Sequence, residues 1–286
     1  MSENWTTRKI LAWTSEHFAK RSIDSPRLTA EVLLAHVLKV DRVRLYVDLD
    51  RPLEPEERAA YRALIERRMT GEPTQYLTGA KEFYNRRFKV DPRVLIPRPE
   101  TELLVEAVLR VLPRDAPSRV LDLCTGSGCI GISIAAERPQ ASVWATDASS
   151  EACDVARLNA EALQVDARVT VRQGDLFAPL PKGALFDVVS ANPPYVKTGE
   201  LDALPLEVKR EPHVALDGGA DGLDLTRRIA RQAGEWLKPG GLLALEISDT
   251  QGEPVRALLA DTGYADVRIE KDLAHLDRFA FGRRPT

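Results

Sequence analysis

From residue 100 to the C-terminus, short unbroken apolar runs alternate with amphipathic helical stretches, and this constrains the fold more than any other feature of the chain. Strands are predicted at residues 119–123, 142–147, 169–173, 186–191, 242–247, 266–270 and 278–282. Helices are predicted at 100–112, 130–138, 150–163, 223–237 and 250–262. Strands that are apolar on both faces, each followed by a helix, imply a mostly parallel sheet covered on both sides. The last two strands are joined by too short a loop for a crossover helix, so they must pair antiparallel. The expected class is α/β, with seven strands.

The first 70 or so residues are different. Apolar positions at three- and four-residue spacing predict helices over 6–19, from Ser25-Pro26 to about Leu38, and over 56–69. Between Pro73 and Pro99, the segments Gln75-Tyr76-Leu77, Glu82-Phe83-Tyr84 and Arg87-Phe88-Lys89-Val90 alternate as short strands would, around an Asn85-Arg86 turn. The expected organisation is an all-α domain over 1–72, a β-hairpin connector over 73–99 and an α/β domain over 100–286. Charge follows the same division: residues 1–90 carry a net +4 and residues 91–286 a net −7. The longest uncharged stretch, 123–136, falls short of the roughly 20 residues of a spanning helix. Residues 1–20 lack the apolar core of a secretory signal. Cys124, Cys129 and Cys153 have no histidine partners at zinc spacing and are too few for a disulfide framework, so neither a metal site nor an oxidising compartment is expected. A cytoplasmic location, no membrane association and a monomeric state are expected.

Two strand tips carry chemistry. Val120-Leu121-Asp122-Leu123-Cys124-Thr125-Gly126-Ser127-Gly128 runs from the first sheet strand into a helix. Gly126 and Gly128 let backbone approach a ligand that a Cβ would obstruct, and the helix start supplies unpaired N–H groups. Asp147 ends the next strand, 21 residues after Gly126, where a carboxylate accepts from both hydroxyls of a ribose. A dinucleotide and a smaller adenosine-containing cofactor such as S-adenosylmethionine both suit this pattern.

The second tip is Asn192-Pro193-Pro194-Tyr195, after the fourth strand. The prolines end sheet pairing and fix a rigid outward turn. Asn192 Oδ1 and the Pro193 carbonyl can each accept one N–H of a planar –NH₂ group, and Tyr195 supplies a wall against it. That arrangement suits methyl transfer to an amide or ring amino nitrogen.

These motifs identify the resemblance. With Gly71-Glu72-Pro73-Thr74-Gln75-Tyr76-Leu77-Thr78-Gly79, Val94-Leu95-Ile96-Pro97-Arg98-Pro99-Glu100-Thr101-Glu102, Glu211-Pro212, Ala215-Leu216-Asp217-Gly218-Gly219 and Asp221-Gly222-Leu223, the chain resembles the peptide chain release factor glutamine methyltransferases. The resemblance spans about residues 5 to 283. It implies a seven-stranded, mostly parallel Rossmann-like methyltransferase sheet with an N-terminal helical domain that helps hold the protein substrate. It implies S-adenosyl-L-methionine as cofactor and class 1 release factors as partner, methylated on the glutamine of a Gly-Gly-Gln motif. Carried over by position, Cys124, Thr125, Gly126, Ser127, Gly128, Asp147, Asp175, Leu176 and Asn192 bind the cofactor. Asn192, Pro193, Pro194 and Tyr195 hold the glutamine amide, with Asn192, Pro193 and Tyr195 catalytic. Relatives often have Gly at position 124 and Trp at position 176, so the adenine contact expected of Leu176 is aliphatic.

Three rival readings remain at this level. A sister enzyme methylates a glutamine of a ribosomal protein through the same Asn-Pro-Pro-Tyr turn. An adenine-amino DNA methyltransferase also uses that turn, but the net −7 of residues 91–286 and the lack of a target-recognition domain disfavour DNA. A cofactor-binding adaptor without catalysis is disfavoured by the intact turn. Arg98 and Glu100 are placed either in the substrate channel or in locking the two domains.

Overall fold

The computed structural model describes residues 5–286. They divide into two compact units, the first comprising the residues up to Gly79 with Leu206–Arg210, the second Ala80–Pro205 with Glu211–Thr286.

In the first unit α1 spans Thr7–Ala19, α2 Pro26–Leu38, α3 Arg42–Val47, α4 Pro55–Met69 and α5 Thr74–Thr78. The Thr6 hydroxyl accepts from the Lys9 N–H to start α1, and prolines occupy the first turns of α2 and α4. Leu11, Phe18, Leu33, Leu34 and Tyr61 form a solvent-free centre, where the Tyr61 hydroxyl donates to the Ala30 carbonyl at 2.9 Å. The guanidinium of Arg68, itself buried, pairs with Glu207, and Arg210 donates to the Thr70 carbonyl at 2.8 Å. These bonds attach the distant segment Leu206–Arg210 to the helices. The strand expected at Gln75–Leu77 is helix α5 instead. Pro73 precedes it, no strand lies alongside, and Gly79 at φ 71° closes it with a left-handed cap. Helix α3 was not foreseen, since only Leu45 in it is buried and no apolar period announces it.

The second unit opens with a hairpin, β1 (Ala80–Phe83) against β2 (Arg86–Lys89). Its turn is Tyr84-Asn85, one residue earlier than expected. Both residues have positive φ, 48° and 57°, the conformation a two-residue hairpin of this twist requires. Then follow α6 (Thr101–Val111), β3 (Ser118–Leu123), α7 (Cys129–Glu137), β4 (Ala141–Asp147), α8 (Ser150–Ala162), β5 (Val169–Gln173) and β6 (Phe186–Ala191). After three short 3-10 turns come α9 (Asp224–Trp236), β7 (Leu237–Glu246), α10 (Gly252–Asp261), β8 (Ala265–Lys271) and β9 (Asp277–Arg283).

The sheet has seven strands in the order β5-β4-β3-β6-β7-β9-β8, parallel except for β9, which pairs antiparallel with both neighbours. The expected α/β class and the antiparallel closing pair are both present. Residues alternate between two cores along each strand: Val120 and Val188 enter one, while Leu121, Leu123, Val189 and Ala191 enter the other. Strand β7 begins five residues before its predicted start, because Lys238-Pro239-Gly240-Gly241 does not read as strand and the β6–β7 register shifts there. The chain runs outward in opposite directions from β3, so the C-terminal tips of β3, β4 and β6 flank the point where strand order reverses, the usual ligand crevice of such sheets. Among the described residues no helix is long and apolar enough to cross a membrane, and no cluster could hold a metal ion.

Candidate active site

The glycine turn is held from beneath by a side chain to which the sequence reading gave no role. Asp122, fully buried on β3, accepts from the Thr125 hydroxyl at 2.6 Å, the Gly131 N–H at 3.2 Å and the Ser190 hydroxyl at 3.1 Å. Burial pushes its carboxyl up to about 6, the three donors opposing the rise. Above it Gly126 takes φ 54° with open space where a Cβ would stand. At Gly128, φ 83°, a Cβ would lie 2.5 Å from the Ile132 side chain. Cys124 also lies in the left-handed region, at φ 53°. A glycine would suit this backbone, and the chain accepts strain to carry a thiol here. Burial, then the charges of Asp147, Asp122 and Asp175, push that thiol well above its ordinary range, so it stays protonated.

Asp147, at the tip of β4, is half-buried. Its Oδ2 accepts from the Gly126 N–H and its Oδ1 from the Ser149 N–H, both at 2.9 Å. These bonds fix the carboxylate plane and leave outward lone pairs for two hydroxyls, while burial raises its pKa. Leu176 is buried with φ 49°, and its carbonyl accepts from the Thr146 hydroxyl at 3.0 Å. Asp175 is exposed and pairs with Arg228 at 2.5 Å.

Asn192 extends from β6, with Pro193 and Pro194 buried and Tyr195 half-buried. Asn192 Nδ2 donates to the Thr101 hydroxyl at a long 3.4 Å, and that hydroxyl donates to Glu246 Oε2 at 2.6 Å. The turn is clamped from the far side by Gln251, whose Nε2 donates to the carbonyls of Tyr195 at 3.3 Å and Gly222 at 3.0 Å. Gly218 and Gly222 lie so close that a Cβ on the first would be 2.8 Å from the Pro194 carbonyl, and on the second 2.3 Å from that of Tyr195. Arg98 and the Ile96 N–H both bond Glu211, at 2.6 and 2.9 Å. Arg98 thus ties two loops within the second unit, and Glu100 is exposed at the start of α6.

A cleft joins these pieces. Cys124, Gly126, Asp147, Asp175, Leu176, Asn192 and Pro194 line it; Thr125, Ser127, Gly128, Pro193 and Tyr195 are not among its lining residues. The sequence reading did not name Arg93, Val94 and Leu95, nor Pro212, Val214 and Ala215, as lining residues, although most of them lie in the stretches that carried the resemblance. The space over Gly126, the fixed carboxylate of Asp147 and the aliphatic side chain of Leu176 suit a ribose-bearing cofactor.

Residues 9–79 match the family described as the PrmC N-terminal domain, and residues 100–206 match the methyltransferase small domain. A release factor glutamine methyltransferase from Geobacter sulfurreducens is 45% identical over 282 residues, covering 98% of both chains. Its counterpart in Koribacter versatilis is 44% identical over 95% of this chain and 96% of its own. Among solved structures, a methyltransferase from Pyrococcus furiosus superposes with a TM-score of 0.54 at 18% identity, over 72% of this chain and 92% of its own. The 16S rRNA N2 G1207 methyltransferase RsmC of T. thermophilus, solved with AdoMet and guanosine, gives 0.53 at 20% identity, over 72% of this chain and 49% of its own. Both likenesses show the methyltransferase fold.

Proposed function

The chain belongs to the release factor glutamine methyltransferase family, and from that premise we propose that it methylates the side-chain amide nitrogen of the glutamine in the Gly-Gly-Gln motif of class 1 release factors. The observation that carries this reading is the placement of Asn192 in the same cleft as Asp147 and Gly126, which brings an amide-binding side chain to a ribose-binding edge.

Cys124 to Gly128, Asp147, Asp175, Leu176 and Asn192 hold S-adenosylmethionine, Asp147 by accepting from the ribose hydroxyls and Leu176 by packing on the adenine. When bound, the cofactor supplies a methyl carbon made electrophilic by the adjoining sulfonium. Asn192 Oδ1 and the Pro193 carbonyl accept the two N–H bonds of the glutamine amide. That turns the nitrogen toward the cofactor side of the cleft and stabilises positive charge as it develops there. Tyr195 and the prolines set the shape of the turn. No base is needed before attack, because an amide nitrogen that has gained a methyl sheds its proton readily. Residues 1–72 serve as the helical module that holds the release factor, residues 73–99 as the connector and residues 100–286 as the catalytic domain. A groove in the helical unit supports that role, with Trp5, Trp13 and His17 beside Arg58 and Arg62, and Trp13 48% exposed.

The test is incubation of the full chain with methyl-labelled S-adenosylmethionine and, in turn, a class 1 release factor, ribosomal proteins and DNA. Label on the Gly-Gly-Gln glutamine is expected, with Asn192→Ala reducing transfer by about 10²-fold or more. Label confined to ribosomal protein or DNA, or full activity in Asn192→Ala, would refute it.

A further inference from the structure

An asparagine amide is nearly symmetric in shape, yet its two ends are opposite in chemistry. In the proposed reaction Asn192 must present oxygen to the acceptor –NH₂; rotated by half a turn it would present two N–H donors to two N–H donors. We propose that Thr101 and Glu246 are positioning residues that fix this sense, so that the Asn192 oxygen, not its nitrogen, faces the methyl acceptor. The inference rests on the functional reading above and adds to it two residues that touch neither substrate nor cofactor.

Donor and acceptor counts fix the direction of each bond. A threonine hydroxyl has one proton to give and two lone pairs. Glu246, 1% exposed at the end of β7, accepts from Thr101 at 2.6 Å, and an ionised carboxylate can only accept. The single Thr101 proton is thereby committed. Toward Asn192 the hydroxyl can only accept, and it does so from Nδ2 at 3.4 Å. The weak last bond matters for its direction rather than its strength: the rotated amide would set Oδ1 against a lone pair. Thr101 is 1% exposed, out of reach of bulk solvent. Protonated, Glu246 could donate to Thr101, free the threonine proton for Asn192 and erase the preference.

The groups that act on Glu246 are Arg98 and Glu100 ahead of α6, Cys129 on α7, Tyr195 after β6 and Arg278 on β9. The two arginines favour the carboxylate, Glu100 opposes it, and burial opposes it most, leaving the carboxyl at about 7. The bound proton should therefore depress turnover below neutrality, although the glutamine amide itself does not titrate in that range.

The experiment measures kcat and KM from pH 5.5 to 8.5 for the full chain, Thr101→Val, Thr101→Ser and Glu246→Gln, with a release factor as acceptor and retained S-adenosylhomocysteine binding as the check of folding. Wild-type kcat should rise through about pH 7 and level off. Thr101→Val keeps the shape but loses the hydroxyl; its kcat should fall about tenfold or more, its KM for S-adenosylmethionine stay unchanged, and the acid limb vanish. Thr101→Ser should recover the rate and the limb. Glu246→Gln should give a flat profile. A Thr101→Val enzyme with wild-type kcat, or one slowed with the acid limb intact, would overturn the inference while leaving the methylation reading in place. A wild type that methylates no release factor overturns both.

Discussion

Replacing Asp122 by asparagine should make the protein's stability less sensitive to pH. The buried carboxyl sits at about 6 in the folded chain against an ordinary 3.8. A group whose folded value is raised binds more protons folded than unfolded, so its contribution to stability is undiminished below the unfolded value. It is then lost as pH rises through the folded one. Between about pH 4 and pH 6, ionising Asp122 should cost on the order of 3 kcal/mol at most, from ~1.4 kcal/mol per pH unit. Asparagine keeps the shape. Its oxygen can take the place of Oδ2, still accepting from Thr125 and Gly131, while Ser190 turns its hydroxyl to the Leu121 carbonyl, 3.4 Å away, and accepts from the new amide. Any steric penalty of the substitution is common to all pH values. The informative quantity is therefore the change with pH in the stability difference between D122N and wild type. Urea unfolding at pH 4 and at 7.5 should show D122N gaining on wild type by roughly 2–3 kcal/mol over that interval. A difference that does not move with pH would show that the three donors balance burial, and one that moves the other way that they outweigh it and the carboxylate is stabilising.

Two further substitutions test the strand-tip geometry. Cys124→Gly exchanges about 1–2 kcal/mol of left-handed strain for the lost packing of a small side chain, so stability should change by less than about 1 kcal/mol with cofactor affinity retained; a large loss in the denaturation midpoint would mean that the φ of 53° is not strained. In the folded wild type the same thiol should resist a disulfide reagent, and labelling at the unfolded rate would contradict its raised pKa. Gly222→Ala puts a methyl 2.3 Å from the Tyr195 carbonyl at a φ of 79°, so the turn must shift. Its kcat should fall by about tenfold or more with little change in cofactor affinity, and an unchanged kcat would show that this contact does not hold Asn192.

What could be read from the sequence, and what could not, divides along a physical line. Local pattern gave the strands: Phe186–Ala191 and Val169–Gln173 are read to the residue because an apolar run bounded by turn residues carries its own signal. The strand tips were legible for a similar reason, since Gly126 and Gly128 at positive φ and the paired prolines after Asn192 are backbone requirements written in residue type. The supports of the site were not. Thr101 meets Glu246 across 145 residues, Arg98 meets Glu211 across 113, and Gln251 reaches back 56 to Tyr195, and no period or spacing encodes such partners. One signal was nevertheless present. Val120-Leu121-Asp122-Leu123 and Leu243-Ala244-Leu245-Glu246-Ile247 each carry a single acid in an otherwise apolar run, and both acids are 1% exposed or less. Desolvating a carboxylate costs several kcal/mol unless donors surround it, so an acid at such a position needs partners. In a parallel sheet, an acid near the C-terminal end of its strand finds them next to the ligand crevice. Asp122 holds the glycine turn in this way, and Glu246 reaches Asn192 through Thr101. These two buried strand acids thus support the two motifs that identified the family.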